Sequence, residues 1–281
     1  MTEISRVFYF EAAHSLKDLG EKHKCSRIHG HLYQVEVVVG GEIDEKLGWI
    51  MDFGDISRET NEVLEKLDHR YLNEIEGLEV PTSENIARFI FSALKPRLRN
   101  LVGVIVHESP HSKCVYRESP EPLFDGIVVS SPRRVFSSGH FLLFQDGGRE
   151  TLHGHDYECI ASLWVNTGNG FEARQTLEEE VEKVCAGLDH RLLLPKEPVV
   201  GHIEVRGSVT VLSLPDETIV FPTRDCVVLP INNTTTEALS RFIASSVHEG
   251  IRIRGITFHA LEVSVKESLL CSCRHIVGFS S

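Results

Sequence analysis

The sequence has 281 residues, of which 41% are hydrophobic and 25% charged, fractions that exclude a disordered or collagen-like chain. Its formal net charge of -12 disfavours nucleic acid as a partner. No apolar run is long enough to span a membrane, and residues 1–6 do not begin a secretory signal, so we expect a cytoplasmic protein without a membrane partner. The seven scattered cysteines are expected to be free thiols.

The first half of the chain predicts the order strand, strand, helix, helix, strand, strand. Its strands alternate between apolar and polar side chains, and its helices place apolar residues at helical spacing. Two helices on one face of an antiparallel four-stranded sheet define the predicted α+β fold class. The predicted strands are 4–14, 31–43, 101–108 and 113–117, and the predicted helices are 55–67 and a second one that Thr82 or Ser83 can cap.

The same motifs occur twice in the same order, which indicates a tandem duplication. The second copy carries about 32 extra residues, by the change in spacing between matched motifs. We expect domains at 1–120 and 128–281, a boundary near Ser119–Pro122, and an insertion around 195–229 that contains a hairpin. The matched segments are 10–14 with 136–140, 29–31 with 153–155, 67–72 with 188–193, 83–90 with 236–243, and 106–109 with 265–268.

A candidate metal site lies at the start of the second predicted strand. His29 and His31 are two residues apart and therefore point to the same face, and His14 ends the preceding strand. Three neutral imidazoles suit zinc and leave its fourth coordination position open, as in catalytic zinc sites. The alternative is a pair of surface histidines, but a second copy of the same pattern argues against it.

Three further positions are candidate acid, base or binding groups. Cys25 lies four residues before His29, and a nearby zinc would favour its thiolate, although an isolated cysteine would be inert. Asp68 can fix the tautomer of His69 for proton transfer, or can simply cap a helix end. Glu108 ends an apolar strand, and its carboxylate can accept two parallel N–H bonds from a planar ring edge.

These segments resemble the 6-pyruvoyl-tetrahydropterin synthase superfamily, in particular its 6-carboxytetrahydropterin synthase branch. The resemblance covers residues 8–117 in order, and the three residues between Cys25 and His29 match the spacing of the carboxytetrahydropterin branch. The matching segments are Phe10–His14, His23–His31, Gly48–Phe53, Leu67–Asn73 and Pro81–Asn85.

The resemblance implies a tunnelling fold, in which ββααββ units assemble into barrels with sites at unit interfaces. It also implies zinc on His14, His29 and His31, Cys25 as the base, Asp68 with His69 as the proton relay, and Glu108 as the pterin anchor. The implied reaction converts 7,8-dihydroneopterin triphosphate to 6-carboxytetrahydropterin, acetaldehyde and triphosphate, a step of queuosine biosynthesis. Units of this family pack in trimers, so the analogy favours a homo-oligomer, with three two-unit chains in place of six.

The second copy lacks the cysteine. The residue 124 positions after Cys25, which is the spacing from His29 to His153, is Arg149, and its guanidinium cannot act as a general base. The copy can be a structural unit, can bind zinc or pterin without the lyase step, or can run another reaction in which Arg149 holds an anion. It keeps a candidate second metal site and three further counterparts, namely His140, His153 and His155, and Asp189, His190 and Glu267.

Two other activities remain open for the first half. One is 6-pyruvoyl-tetrahydropterin synthase activity or cleavage of a sepiapterin-type side chain, which differs in its product. The other belongs to a different class, a non-catalytic pterin-binding or assembly protein. The complete set of candidate groups in the first half favours an enzyme.

Overall fold

A computed structural model describes residues 1–20, 22–109, 112–117, 126–166 and 170–278. The chain forms two compact units. The predicted boundary at Ser119–Pro122 lies outside the described residues. The N-terminal unit comprises Ile4–Gly40 and Met51–Pro122, and the C-terminal unit comprises Met1–Glu3, Gly41–Ile50 and Leu123–Ser281.

The first repeat follows the predicted element order with one addition. A two-residue strand lies between the helices and pairs in parallel with the first strand, where Ala12 is opposite Arg70. A strand of two residues is too short to leave an alternating pattern, and therefore the prediction of a wholly antiparallel sheet missed it. The elements are β1 (Thr2–His14), β2 (His29–Gly41), α1 (Phe53–Leu64), β3 (Arg70–Tyr71), α2 (Ser83–Leu94), β4 (Leu101–Ser109) and β5 (Ser112–Arg117).

The sheet of the N-terminal unit has the order β1, β2, β4, β5, and its last two pairings are antiparallel. Helix α2 begins after Thr82, whose hydroxyl accepts the N–H of Asn85 and so satisfies one of the free donors of the first turn. Its apolar stripe includes Ile86 and Ile90, both fully buried. Burial of each such side chain contributes about 1.5–3 kcal/mol, which fixes the helix on the sheet.

The second repeat builds a larger sheet in the order β13, β9, β7, β8, β14, β15, in which β6 also pairs with β8. The pairs β7 with β9 and β9 with β13 are parallel, whereas β8 pairs antiparallel with β7 and β14. The elements are β6 (Ile127–Ser130), β7 (Arg134–His140), β8 (His153–Val165), α3 (Gly170–Leu188), β9 (Arg191–Pro195), β10 (His202–Arg206), β11 (Val209–Ser213), β12 (Thr218–Pro222), β13 (Cys226–Leu229), α4 (Thr236–Ile253), β14 (Ala260–Lys266) and β15 (Cys271–Gly278).

The insertion contains a separate three-stranded antiparallel sheet, β10–β11–β12, where a hairpin was predicted. The third strand is Thr218–Pro222, which places Ile219 opposite Leu212. Leu212 is fully buried and belongs to a small apolar cluster with Phe141, Leu143 and Leu194. The insertion therefore packs on the chain that follows His140.

A short segment of the first repeat belongs to the C-terminal unit. The carbonyl of Leu47 accepts a bond from the Asn233 side chain at 3.2 Å, and the N–H of Ile50 donates to Glu237 at 3.1 Å. Gly48 has a φ of +81°, and a Cβ there would lie 3.0 Å from Asn232. This glycine therefore allows residues 41–50 to pack on the start of α4. Among the described residues, no helix is long and apolar enough to cross a membrane.

Candidate metal centre and acid–base groups

The three histidines predicted as ligands converge at one end of the N-terminal sheet. His14 is the last residue of β1 and is fully buried, while His29 and His31 begin β2. The ring centroids are 4.5–5.2 Å apart. One ligand atom from each histidine and one from Glu108 all lie within 4.8 Å of one another. The spacing of two along β2 therefore places both imidazoles on the face that His14 also occupies.

Backbone carbonyls fix the tautomers of two of these rings. Nδ1–H of His14 donates to the carbonyl of Pro81 at 2.9 Å, and Nδ1–H of His29 donates to that of Arg27 at 2.8 Å. In the neutral rings each Nε2 is then a bare lone pair, and the two Nε2 atoms are 3.1 Å apart. Two lone pairs at this distance repel each other unless a proton or a metal ion lies between them, so the donor set can accept a metal ion.

Glu108 lies beside this trio. Its Oε1 is 3.3 Å from His14 Nε2 and 3.2 Å from His31 Nε2, and Ser83 Oγ donates to Oε2 at 2.8 Å. The hydrogen bond with His14 lowers the pKa of Glu108 to about 2 although burial opposes the shift, so the carboxylate is charged at neutral pH. The contact with His31 is close but lacks hydrogen-bond geometry, and its buried Nε2 has no hydrogen-bond partner among the described residues.

Glu108 affects the two histidines differently. Burial lowers the pKa of His14, but the hydrogen bonds to Glu108 and to the Pro81 carbonyl, together with the charge of Glu108, outweigh it and leave that pKa raised. The pKa of His31 is lowered, because its burial is not outweighed by the charge of Glu108. A carboxylate this close to the trio can serve either as a fourth metal ligand or as a substrate anchor next to the metal.

The C-terminal unit repeats the trio without a carboxylate. Ligand atoms of His140, His153 and His155 lie within 4.8 Å of one another. Nδ1–H of His140 donates to the carbonyl of Thr234, and Nδ1–H of His153 to that of Thr151. The Nε2 atoms of His153 and His155 are 3.0 Å apart, and the buried Nε2 of His140 has no partner among the described residues. Burial lowers the pKa of His140 to about 4, which keeps it neutral, as a metal ligand must be.

The predicted acid–base pairs have the same geometry in both units. Asp68 Oδ2 accepts Nδ1–H of His69 at 2.9 Å, and Asp189 does the same for His190 at 2.8 Å. The hydrogen bond to Asp68, followed by the charge of that residue, raises the pKa of His69. His69 and His190 both have a φ of 55°, and they are the described non-glycine residues with positive φ.

Two backbone contacts hold each pair in this left-handed conformation. Asp68 Oδ1 accepts the N–H of Glu11, and the N–H of His69 donates to the Glu11 carbonyl at 2.6 Å. Asp189 and His190 make the same two contacts with Ser137. A left-handed backbone costs a non-glycine residue about 1–3 kcal/mol, and such residues cluster at functional sites. Its occurrence in both units indicates a functional constraint.

Each unit has an open groove that runs from the pair to the second histidine of the HxH motif. The groove of the N-terminal unit, of about 560 Å³, is lined by Glu11, His31, Leu32, His69 and neighbouring backbone. The groove of the C-terminal unit, of about 650 Å³, has Asp156 at the position of Leu32 and adds Asp225. Ser137 takes the place of Glu11 and each groove has one arginine, Arg70 or Arg191, so the second groove carries one acidic side chain more than the first.

Backbone contacts fix the loop that carries Cys25. It lies in a short 3-10 helix, Lys24–Ser26, and its N–H donates to Nδ1 of His23 at 3.2 Å. Its carbonyl accepts the N–H of Leu16, two residues after His14, at 2.7 Å. The sulfur is not a member of the four-residue group of candidate ligands. The structure thus ties the Cys25 loop to the end of β1, outside the ligand set.

At the corresponding place in the C-terminal unit, Arg149 is held by the insertion. Its Nε and Nη2 donate to the two carboxylate oxygens of Glu217 at 2.7 and 2.9 Å, and its guanidinium lies 5.7 Å from the ring centre of Phe141. The bidentate bond to Glu217 raises the pKa of Arg149. The guanidinium therefore already has an anionic partner from its own chain.

Sequence reasoning considered Ser83 only as a helix cap and assigned no role to Thr236 or to two buried tyrosines. Ser83 binds Glu108, and Thr236 binds Glu267 in the same way through its hydroxyl. Tyr33 and Tyr157 pack edge-on against the histidines of their own units. The duplication could have identified these four residues as candidates, because they occupy matching positions in the two copies.

Comparison with known proteins identifies the family. The sequence pattern described as 6-pyruvoyl tetrahydropterin synthase matches residues 3–119 and again residues 131–275. The chain therefore belongs to the 6-pyruvoyl tetrahydropterin synthase family and contains two copies of its unit. The ββααββ order of the first repeat is that of the tunnelling fold, as the resemblance implied.

Individual relatives match part of the chain. The chain is 47% identical over 100 residues to a putative 6-carboxy-5,6,7,8-tetrahydropterin synthase of Archaeoglobus fulgidus, which covers 36% of this chain and 82% of that protein. It is 39% identical over 97 residues to a dihydroneopterin monophosphate aldolase of Pyrococcus furiosus, a match that covers 34% of this chain and 78% of that protein. A crystal structure of 6-pyruvoyl tetrahydropterin synthase from Plasmodium vivax is 29% identical, covers 54% of this chain and 99% of that chain, and superposes with a TM-score of 0.48.

Proposed function

We propose that the N-terminal unit is a zinc-dependent lyase that converts 7,8-dihydroneopterin triphosphate and one water molecule to 6-carboxy-5,6,7,8-tetrahydropterin, acetaldehyde and triphosphate, in the pathway to queuosine. The observation that carries the proposal is the convergence of His14, His29 and His31 beside the charged carboxylate of Glu108. Family membership and relatives named 6-carboxy-5,6,7,8-tetrahydropterin synthase support it.

Zinc is the proposed metal because three neutral imidazoles are a donor set that suits it. His14, His29 and His31 would hold the ion through Nε2, since the Nδ1 atoms of His14 and His29 are committed to backbone carbonyls. A bound zinc acidifies hydroxyl groups that coordinate to it. Glu108 is assigned to the substrate, whose 2-amino-4-oxo edge offers the two parallel N–H donors that a carboxylate accepts.

The proton transfers are assigned to residues around the trio. Cys25, as a thiolate, removes a proton from the carbon next to a side-chain hydroxyl of the substrate. His69, held by Asp68 with a raised pKa, is the proposed donor that returns a proton. Both groups act as acid–base catalysts, and no covalent enzyme intermediate is required.

For the C-terminal unit we propose metal binding without the lyase step. His140, His153 and His155 supply three converging nitrogens, which favours a second metal ion. Arg149 replaces the cysteine and is paired with Glu217, so it offers neither a base nor a free anion site. The histidine trio favours metal binding over a purely structural role for this unit, and the pairing of Arg149 argues against a second reaction.

The decisive experiment is mass spectrometry of the products formed from 7,8-dihydroneopterin triphosphate. Wild type should give 6-carboxytetrahydropterin, and Cys25→Ala should reduce its formation by at least 100-fold. Cys114→Ala is the matched control, because it removes a partly exposed thiol of the same unit that no proposed step uses. Equal product from wild type and Cys25→Ala would exclude the proposed base.

The same assay separates the alternatives. A 6-pyruvoyl product identifies pyruvoyl-tetrahydropterin synthase activity, and loss of the side chain from dihydroneopterin monophosphate or sepiapterin identifies an aldolase-type cleavage. No conversion of any of these substrates by the metal-loaded protein leaves a pterin-binding or assembly role. The analogy with trimers of family units proposes three two-unit chains, which the mass of the assembly in solution tests.

A further inference from the structure

Each unit contains one fully buried tyrosine whose hydroxyl has no hydrogen-bond partner among the described residues, Tyr33 in the first and Tyr157 in the second. Tyr33 stacks on Phe10 at 4.9 Å and meets the ring of His31 edge-on at 5.6 Å. Tyr157 makes the corresponding contacts with its own unit's phenylalanine and histidine at 5.1 and 5.5 Å. A buried hydroxyl without a partner costs about 1–3 kcal/mol, so its occurrence in both units requires an explanation.

The tyrosine and the glutamate of each unit lie on adjacent strands. Gln34 is opposite His107, and Tyr33 and Glu108 are the residues next to that pair. In the C-terminal unit Glu158 is opposite Lys266, which likewise puts Tyr157 next to Glu267. A tyrosine hydroxyl is a hydrogen-bond donor at neutral pH, and a carboxylate on the adjacent strand is an acceptor.

The two carboxylate oxygens of Glu108 differ in their hydrogen-bond partners, and a bound metal would change the partners of only one of them. Ser83 donates to Oε2, while Oε1 lies against Nε2 of His14 and of His31. Once these nitrogens bind a metal they carry no hydrogen and cannot donate to Oε1. A half-buried carboxylate oxygen without a donor is unfavourable, so Oε1 must find another donor or become a ligand itself. The unpartnered hydroxyl on the neighbouring strand is such a donor.

We propose that Tyr33 is a positioning residue, whose hydroxyl donates to Glu108 in the metal-bound N-terminal unit and holds the carboxylate towards the planar N–H edge of the substrate. Tyr33 does not touch the reacting atoms. With Oε1 held by this hydroxyl, the three histidines would hold the metal and Glu108 would remain available to the substrate. The inference rests on the proposed function, because it assigns Glu108 to the substrate.

The test is Tyr33→Phe, which removes the hydroxyl and keeps the ring packing. With zinc bound, we expect KM for 7,8-dihydroneopterin triphosphate and the dissociation constant of neopterin, measured by its fluorescence, to rise at least tenfold. We expect kcat to change less than threefold, and the zinc content and the Tm of the metal-free protein not to fall. Tyr157→Phe makes the same deletion in the unit without the cysteine and should leave KM unchanged.

A double-mutant cycle shows whether Tyr33 acts through Glu108. In a Glu108→Gln background, Tyr33→Phe should change neopterin binding less than twofold, because the carboxylate that it positions is gone. An unchanged KM in the single variant, a full effect in the double variant, or loss of zinc from Tyr33→Phe would overturn the inference. If wild type binds neopterin but makes no product, the proposed reaction fails while the binding cycle still decides the role of Tyr33.

Discussion

His69 and His190 share a backbone φ of 55°, although 121 residues separate them in the chain. In each case an aspartate immediately before the histidine binds the backbone of the strand that ends in a trio histidine. We expect His69→Asn to leave Tm close to that of wild type, because asparagine tolerates the left-handed region better than most residues. It should reduce turnover by about 10²–10⁴-fold, because the proton donor is lost.

The control for this prediction is a valine at the same position. A β-branched residue is poorly tolerated at positive φ, so His69→Val should lower Tm as well as turnover. His190→Asn and His190→Val should reproduce the two Tm results, because His190 has the same φ. A lower Tm for His69→Asn than for His69→Val would contradict the assignment of strain to the backbone.

Metal content is expected to follow the two histidine trios independently. We predict two zinc ions per chain in wild type, one in His29→Ala and one in His153→Ala, measured by elemental analysis after dialysis. Each substitution removes one of three ligands from its own unit and leaves the other trio complete. A wild-type content of one ion per chain, with no loss in His153→Ala, would reduce the second trio to a structural role.

The stability of the metal-free protein should depend on His140 at mildly acidic pH. Its pKa in the folded state is about 4, mainly because it is buried, against 6.5 in an unfolded chain. As pH falls below 6.5 the unfolded state therefore takes up the proton first, and stability is lost progressively down to about pH 4. The loss should reach roughly 3 kcal/mol, measured by urea unfolding. In His140→Gln this part of the pH dependence should disappear, and an unaltered slope would show that other groups cause it.

Helices α3 and α4 approach closely at Gly250. A Cβ there would lie 2.2 Å from a carboxylate oxygen of Glu180, a buried residue whose other oxygen is 3.1 Å from Arg254 Nε. Gly250→Ala should therefore lower the free energy of unfolding by about 1–3 kcal/mol, although alanine is the better helix former.

Gly187 in α3 provides the matched control, since among the described residues no atom outside its own stretch of helix backbone lies within 4 Å of the place of its Cβ. Gly187→Ala should raise the free energy of unfolding by up to about 1 kcal/mol. If both alanines stabilise the protein equally, the close approach at Gly250 is not a constraint. Urea unfolding of the two variants side by side measures the difference.

The sequence by itself determined the duplication, the order of the main elements and the two histidine trios. Alternation along β2 puts His29 and His31 on one face wherever the strand pairs, and apolar spacing defines α2, because both properties depend on local geometry. The two-residue strand β3 escaped prediction, since it carries too few residues for a period, and the third insertion strand was not predicted either.

Only the tertiary structure decided which partners the polar groups have. Glu108 contacts two histidines and Arg149 pairs with Glu217, and these partners are 68 to 94 positions apart in the chain. The hydroxyl of Tyr33 has no hydrogen-bond partner among the described residues, a property that depends on everything packed around it. Such contacts arise from strand register and helix docking, which no local pattern encodes. The grouping of the three histidines in each unit could therefore be predicted from the chain, whereas the contacts of the polar groups around them required the fold.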